Sequence, residues 1–310
     1  MMRRVLLFVL FAFALGNAEA QQDAHYTNFM FNKLSLNPAY AGSLEMASVY
    51  AIYRDQWTGM PGAPNSQILG FHTPVAGNRM GVGAIFERDA IGFTESWRGS
   101  ANYAYRIPVG PGKLALGLSG TVRYLGIDWS EADPAEINDN QLPVGNQGKY
   151  MPNFGFGVFY NTDRWYAGAS MPHLLNGSLD FTTDNQAVAT FARERRHCYV
   201  MGGMTLPLSD QVTFAPNVLL KYVQNAPFDA DINASFIFAN FFMVGATYRV
   251  GDGVNALMNF NIKGRYRLGI GYDYALTALQ NYQNGSFEAF LGYDFNYRTN
   301  GNVLNPRFFW

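Results

Sequence analysis

The sequence predicts an all-β fold: a transmembrane, antiparallel, up-and-down β-barrel of about 14 strands, of the outer-membrane type. Three observations lead there. The 310-residue chain is rich in aromatics (16%) and glycine (32 residues) but only 15% charged, where soluble domains average roughly 25%. Apolar and polar residues alternate with period two in one segment after another, which sets a lipid-facing side against a polar lumen. The connections alternate between short and long, as in barrels with short periplasmic turns and long external loops. Mean hydropathy near zero, −0.09, does not oppose a membrane, because a barrel strand shows lipid only at every second residue.

The elements follow in chain order. Met1 to Ala20 carries Arg3 and Arg4, an apolar run from Val5 to Leu15 and then Ala18-Glu19-Ala20. This is the pattern of a signal peptide cleaved before Gln21, and the run is too short for a membrane helix. No cysteine lies beside that cut, which argues against a lipid-anchored terminus. Without Arg3, Arg4 and Glu19 the chain keeps 20 of its 22 basic and 22 of its 23 acidic residues, a formal charge of −2. A nucleic-acid partner has no electrostatic support. Cys198 is the single cysteine, so no intramolecular disulfide forms.

Residues 21–45 are a polar, irregular lead-in or plug, where Pro38 blocks a regular element and Gly42 permits a turn. The barrel occupies 46–297, and 298–310 is a periplasmic C-terminal tail. Predicted strands are 46–54, 66–73, 79–87, 95–107, 113–125, 150–160, 165–170, 197–208, 212–223, 230–238, 242–250, 255–262, 265–274 and 285–297. In 97–107, Trp97, Ala101, Tyr103, Tyr105 and Ile107 share one face, opposite Arg98, Ser100, Asn102 and Arg106. In 266–274, Tyr266, Leu268, Ile270, Tyr272 and Tyr274 oppose Arg267 and Asp273. The last strand sets Leu291, Tyr293, Phe295 and Tyr297 against Gly292, Asp294 and Asn296, with Phe290 falling on the otherwise polar side. Its end is similar to the closing-strand signal read by barrel-assembly machinery, and Phe290 departs from it. Charged residues stay off the lipid face, where an arginine at mid-bilayer costs about 2–4 kcal/mol.

Chemistry-bearing motifs are sparse. His25, His72, His173 and His197 lack metal-site spacing, and adjacent His197 and Cys198 point to opposite faces of a strand. No Gly-x-Ser-x-Gly elbow occurs, so no catalytic, cofactor or metal residue is assigned. The pairs Gly81/Gly83, Gly155/Gly157 and Gly269/Gly271 lie inside strands and are assigned to sharp wall curvature. The acidic loop 126–149 reads as solvated. Arg98, Arg106, Arg123, Arg249 and Arg267 face the lumen. They either select anions or pair with lumen acids such as Asp273 and Asp294, and pairing is preferred because unpaired charge in a narrow interior is costly.

Several stretches resemble the PorP/SprF family, an outer-membrane component of the type IX secretion and gliding apparatus. They are Tyr26-Thr27-Asn28-Phe29-Met30-Phe31-Asn32, Asn37-Pro38-Ala39-Tyr40-Ala41-Gly42-Ser43, Tyr53-Arg54-Asp55-Gln56-Trp57, Gly62-Ala63-Pro64, Asp89-Ala90-Ile91-Gly92, Tyr103-Ala104-Tyr105, Gly168-Ala169-Ser170, Tyr272-Asp273-Tyr274, Asn284-Gly285-Ser286-Phe287-Glu288 and Asn305-Pro306-Arg307-Phe308-Phe309. Phe287 stands where the family pattern has His, and Phe29 where Tyr is common. The resemblance implies a non-enzymatic barrel integral to the outer membrane, surrounded by its lipids. It would dock periplasmic ring and peptidoglycan-linking lipoproteins and support secretion or surface attachment of proteins with a C-terminal sorting domain. Tyr26, Asn37, Tyr40, Arg307 and Trp310 are the candidate docking residues, with both chain ends on the periplasmic side. Burial against the barrel mouth accounts for Tyr26, Asn37 and Tyr40 equally well. The alternative function is a passive or hydrophobic-solute channel.

Overall fold

The computed structural model describes residues 25–131, 145–183, 186–193, 195–224 and 226–295. The signal segment, the tail 298–310 with Arg307 and Trp310, and most of the acidic loop lie outside them. The strands are β1 (Ala47–Asp55), β2 (Asn65–Val75), β3 (Met80–Ile91), β4 (Thr94–Val109), β5 (Gly112–Asp128), β6 (Asn146–Asn161), β7 (Trp165–Met171), β8 (Ser178–Thr183), β9 (Gln186–Arg193), β10 (His197–Met204), β11 (Leu206–Pro207), β12 (Val212–Val223), β13 (Asp229–Phe238), β14 (Phe242–Arg249), β15 (Gly253–Ile262), β16 (Tyr266–Ala275) and β17 (Ser286–Phe295). β8 and β9 form a separate hairpin, and β11 prolongs β10. Fourteen antiparallel staves remain, as expected from the sequence, and β17 closes on β1 from Ala47↔Phe295 to Asp55↔Phe287. Closure leaves no edge, so the ladder satisfies the backbone polar groups of the wall without water.

The period-two phasing decides which side chains meet lipid. On β16, Tyr266, Leu268, Ile270, Tyr272 and Tyr274 are exposed, while Arg267, Gly269, Gly271 and Asp273 are buried inside. Aromatic pairs mark both rims of the apolar band: Tyr160–Trp165 and Tyr266–Tyr293 at the short-turn end, Tyr124–Tyr150 and Tyr272–Phe287 at the long-loop end. Such rings suit a headgroup interface. At the short-turn end Ala239 and Asn240, then Lys263 and Gly264, take consecutive left-handed conformations. That geometry matches the twist of a tight hairpin.

One predicted strand is broken. The segment 197–208 was expected to run straight, yet β10 pairs with β12 only from His197↔Val223 to Gly203↔Asn217, and pairing resumes with β11 at Leu206↔Phe214. The break falls opposite Pro216, which has no N–H to donate. On the other side the register with β7 continues, Thr205 N–H reaching the Arg164 carbonyl at 2.8 Å.

The lumen is not simply polar, as the sequence pattern had suggested. Tyr50, Ile52, Ile85, Phe159, Tyr166, Leu219 and Phe290 form one buried cluster with Phe29, Met30, Phe31, Leu34 and Tyr40 from the lead-in. Phe290, the departure in the last strand, packs on Phe31 and Tyr50 at ring separations of 5.1 and 6.2 Å. Where water is displaced, inward positions obey core rules. Replacing lipid-facing Leu118 by Arg should destabilise the folded barrel by about 2–4 kcal/mol in urea titrations with vesicles. A loss below about 0.5 kcal/mol would remove that face from the bilayer.

Candidate functional site in the barrel lumen

Residues 25–44 run through the barrel rather than beneath it. His25 lies at the long-loop end, its Nδ1 3.5 Å from Asp229, while Gly42 lies near the short-turn end with its N–H on His72 Nδ1 at 3.1 Å. Between them the chain makes a tight turn closed by Phe31 N–H on the Asn28 carbonyl, a single helical turn over Lys33–Leu36, and a 3-10 turn over Pro38–Tyr40. Asn37 caps that last turn by accepting from Ala39 N–H at 2.9 Å, and Pro38 opens it, where a missing N–H is harmless. The Asn37 amide also donates to the Val158 carbonyl of β6 at 3.0 Å, which ties the segment to the wall.

The wall makes room for this backbone with glycine. A Cβ on Gly117 would overlap the backbone of Ala39 and Pro38, one on Gly81 the backbone of Ala41, and one on Gly157 the side chain of Asn37. A Cβ on Gly271 would come within 2.9 Å of Thr27. These glycines therefore mark close approach of a second backbone, and the curvature assigned from sequence is not their main reason. Gly83 lies similarly beside Leu34, whereas Gly155 faces Pro172 and Gly269 faces Asn259.

At the long-loop half the segment is held by charge. Glu288, buried on β17, accepts the N–H groups of Thr27 and Asn28, each at 2.8 Å, and the Asn28 side-chain amide at 2.8 Å. Arg54, 1% exposed, reaches Asp273 at 2.5 Å, Glu288 at 3.3 Å and Thr27 Oγ1 at 3.0 Å. Thr27 Oγ1 in turn donates to Asp273. Arg249 extends the network from Asp273 (3.7 Å) to Asp231 (3.0 Å) and Asp252 (3.1 Å), and Lys221 joins Asp229 and Asp231. The network crosses β1, β12, β13, β14, β16 and β17 and ends on the threaded segment.

All seven lumen charges named from the sequence point inward. Arg267 pairs with Asp294 at 2.8 Å and with Ser48, Arg98 with Glu87 at 3.2 Å, and Arg249 and Asp273 belong to the network above. Arg106 donates to the Met80 carbonyl at 3.0 Å and the Ala41 carbonyl at 3.4 Å, and Arg123 to Ser96 at 2.7 Å. Of the docking candidates, Tyr26, Asn37 and Tyr40 are buried inside the barrel, in keeping with the burial alternative for them. Tyr26 donates to Glu87 at 3.2 Å. Sequence reasoning missed Arg54, Glu288, Lys221 and Asp231, although strand phasing already put Arg54 and Glu288 on inward faces. It also missed Lys33, whose ammonium is buried over the Tyr166 and Tyr40 rings at 4.8 and 5.5 Å. His173 and His197 stack edge-to-face at 5.9 Å, a contact their sequence separation hid.

Replacing Arg249 by Met leaves Asp231 and Asp273 short of a buried partner and should cost about 3–5 kcal/mol. The same change at Arg88, paired with Glu95 on a water-exposed rim, should cost about 0–1 kcal/mol; equal losses in matched unfolding titrations would deny the lumen network its role. Gly117→Leu should expel Ala39 and Pro38 from the wall and open the lumen. Ion conductance in planar bilayers should rise while the barrel keeps its heat-modifiable mobility; an unchanged, silent bilayer with a folded barrel would show that the segment does not seal it.

Comparison with one solved structure supports the architecture. The chain is similar to the Ralstonia pickettii toluene transporter TbuX, at 11% identity over 84% of this chain and 92% of that one, with a TM-score of 0.50. It also matches the Acinetobacter baumannii outer membrane protein Omp33, at 6% identity over 81% and 98% of the two chains and a TM-score of 0.49. Identities this low speak to the fold alone. No curated protein sequence matches the chain. The family profile for type IX secretion system membrane proteins PorP/SprF matches residues 18–293, which is nearly the whole barrel with its threaded lead-in, and the chain belongs to that family.

Proposed function

We propose that the protein is a non-enzymatic scaffold of the type IX secretion and gliding apparatus in the outer membrane. It docks periplasmic ring or peptidoglycan-linking lipoproteins and supports secretion or surface attachment of proteins with a C-terminal sorting domain. The observation that carries this reading beyond family membership is the filled lumen. Residues 25–44 run through it from the long-loop half to the short-turn half, and among the described residues one gap beside them at β3–β5 measures about 30 Å³. That gap has room for a water or two and not for a solute. A plugged wall of aromatic-banded strands is suited to holding partners in place.

The short-turn end is the side assigned to the periplasm, since short turns face that compartment in such barrels. β1 begins and β17 ends there. Docking accordingly falls to the short turns and to the segment beyond β17 that carries Arg307 and Trp310. Tyr26, Asn37 and Tyr40 act indirectly, by fixing the plug.

Deleting residues 300–310 should leave the barrel inserted but weaken co-purification of ring lipoproteins several-fold; undiminished recovery would end the docking role of that segment. In a clean deletion strain, cargoes with the C-terminal sorting domain should disappear from the surface proteome and accumulate in the periplasm. An unchanged proteome, together with solute flux through the purified barrel that Arg106 or Arg249 substitutions abolish, would replace the scaffold with a channel.

A further inference from the structure

The wall holds the threaded segment by its backbone as well as by its side chains. Glu288 takes two successive N–H groups, Ser170 Oγ donates to the Leu36 carbonyl at 2.6 Å, Arg106 donates to the Ala41 carbonyl, and His72 accepts from Gly42. Residues 25–32 differ from residues 33–44 in how they are held. The later part is wedged against Gly81, Gly117 and Gly157, whereas the earlier part meets one such glycine, Gly271, buries Phe29, Met30 and Phe31, and takes side-chain hydrogen bonds from the long-loop half.

A second observation concerns the same half of the lumen. Arg54 Nε, Arg249 Nη2 and Asn255 Nδ2 have no hydrogen-bond partner among the described residues. Their side chains belong to residues 1%, 3% and 3% exposed and line one gap of about 10 Å³ under Trp57 and Gln283. Buried donors are ordinarily satisfied. Arg54 and Arg249 are balanced in that gap by Asp252 and Asp273, so it favours an uncharged oxygen over an anion. Unsatisfied donors for a carbonyl thus stand beside a carboxylate that takes N–H groups, the complement of a peptide amide.

We propose that the long-loop half of the lumen is a binding site for a short, turned polypeptide segment of a partner, and that residues 25–32 are its resident occupant. The partner segment is recognised by its backbone: two successive N–H groups on Glu288 and a carbonyl oxygen on Arg54, Arg249 and Asn255. Tyr26-Thr27-Asn28 defines the preferred side chains, with a phenol on Glu87, a small hydroxyl between Arg54 and Asp273, and an amide on Glu288. The proposal rests on the scaffold reading above, since it names a polypeptide as what the barrel holds. Displacing only the first eight described residues leaves the glycine-wedged part in place.

The test uses the full chain and a fluorescent synthetic peptide of residues 25–32. Thr27→Pro with Asn28→Pro removes both N–H donors from the resident segment. This variant should bind the peptide at least tenfold more tightly than the parent. Adding Glu288→Ala should abolish the gain, and a peptide carrying the same two prolines should not bind. Absence of binding to a folded, heat-modifiable variant, or binding indifferent to Glu288→Ala, overturns the site. Should the proline variant not fold, the parent is exposed to excess peptide with a photoreactive residue in place of Tyr26. Cross-links on β3 or β17 support the proposal, and cross-links confined to the outer surface overturn it. A barrel whose deletion blocks secretion but whose lumen takes no peptide would keep the scaffold function and lose only this site.

Discussion

A closed ladder of this many strands encloses more space than its own side chains fill, and most of the molecule's other features answer that constraint. Barrel diameter grows with strand number, and about eight strands already give an interior just wide enough for side chains to pack. With fourteen, the remaining space must hold water or another piece of protein. Here it holds the lead-in, with Phe29, Met30, Phe31 and Leu34 buried against Tyr50, Ile52, Ile85 and Phe290. Glycines on β3, β5, β6 and β16 then follow from the need to bring a second backbone against the wall.

Filling the lumen also changes its electrostatics. In a water-filled pore Arg249 or Arg54 would be solvated; in a packed interior each needs a protein partner, because an uncompensated buried charge is costly. The observed network meets this by sharing carboxylates: Asp273 serves Arg54 and Arg249, and Asp231 serves Arg249 and Lys221. Removing water strengthens each pairing and raises the penalty for any group left out. The threaded segment contributes to this arrangement directly, since Thr27 and Asn28 supply donors that Glu288 would otherwise lack.

Much of the wall was legible in the sequence because lipid imposes a strict rule on every second residue. Trp97, Tyr103 and Tyr105 outward and Asn102 and Arg106 inward follow from that alternation alone. The interior was less legible because its rule is set by what fills it. Phe290 looked anomalous on a polar face until Phe31 was found against it. Gly81 and Gly157 carry no signal that separates a curved wall from a crowded one, and Tyr26, Asn37 and Tyr40 read as well for a surface as for a core. Pairings such as Arg54 with Asp273, or His173 with His197, depend on strand register across the barrel. Period-two phasing gives the face of each residue but not its neighbour on another strand.

The direction of threading couples the lead-in to closure of the barrel. Its helical and 3-10 turns touch β4, β5, β6 and β7, through Asn37 and Ala39 above all, while Thr27 and Asn28 bind Asp273 and Glu288 on β16 and β17. The first four lie before the middle of the chain and the last two near its end, and they come together around the segment when β17 pairs with β1. An open sheet therefore offers the lead-in only part of its binding surface, and the full burial becomes available on closure. The hydrogen bonds of the β1–β17 seam and the apolar contacts of the lumen are gained together, so each stabilises the other. Loss of the lead-in would weaken a seam whose facing residues Arg54 and Glu288 it binds, and an open seam would release a segment whose own sequence is unchanged.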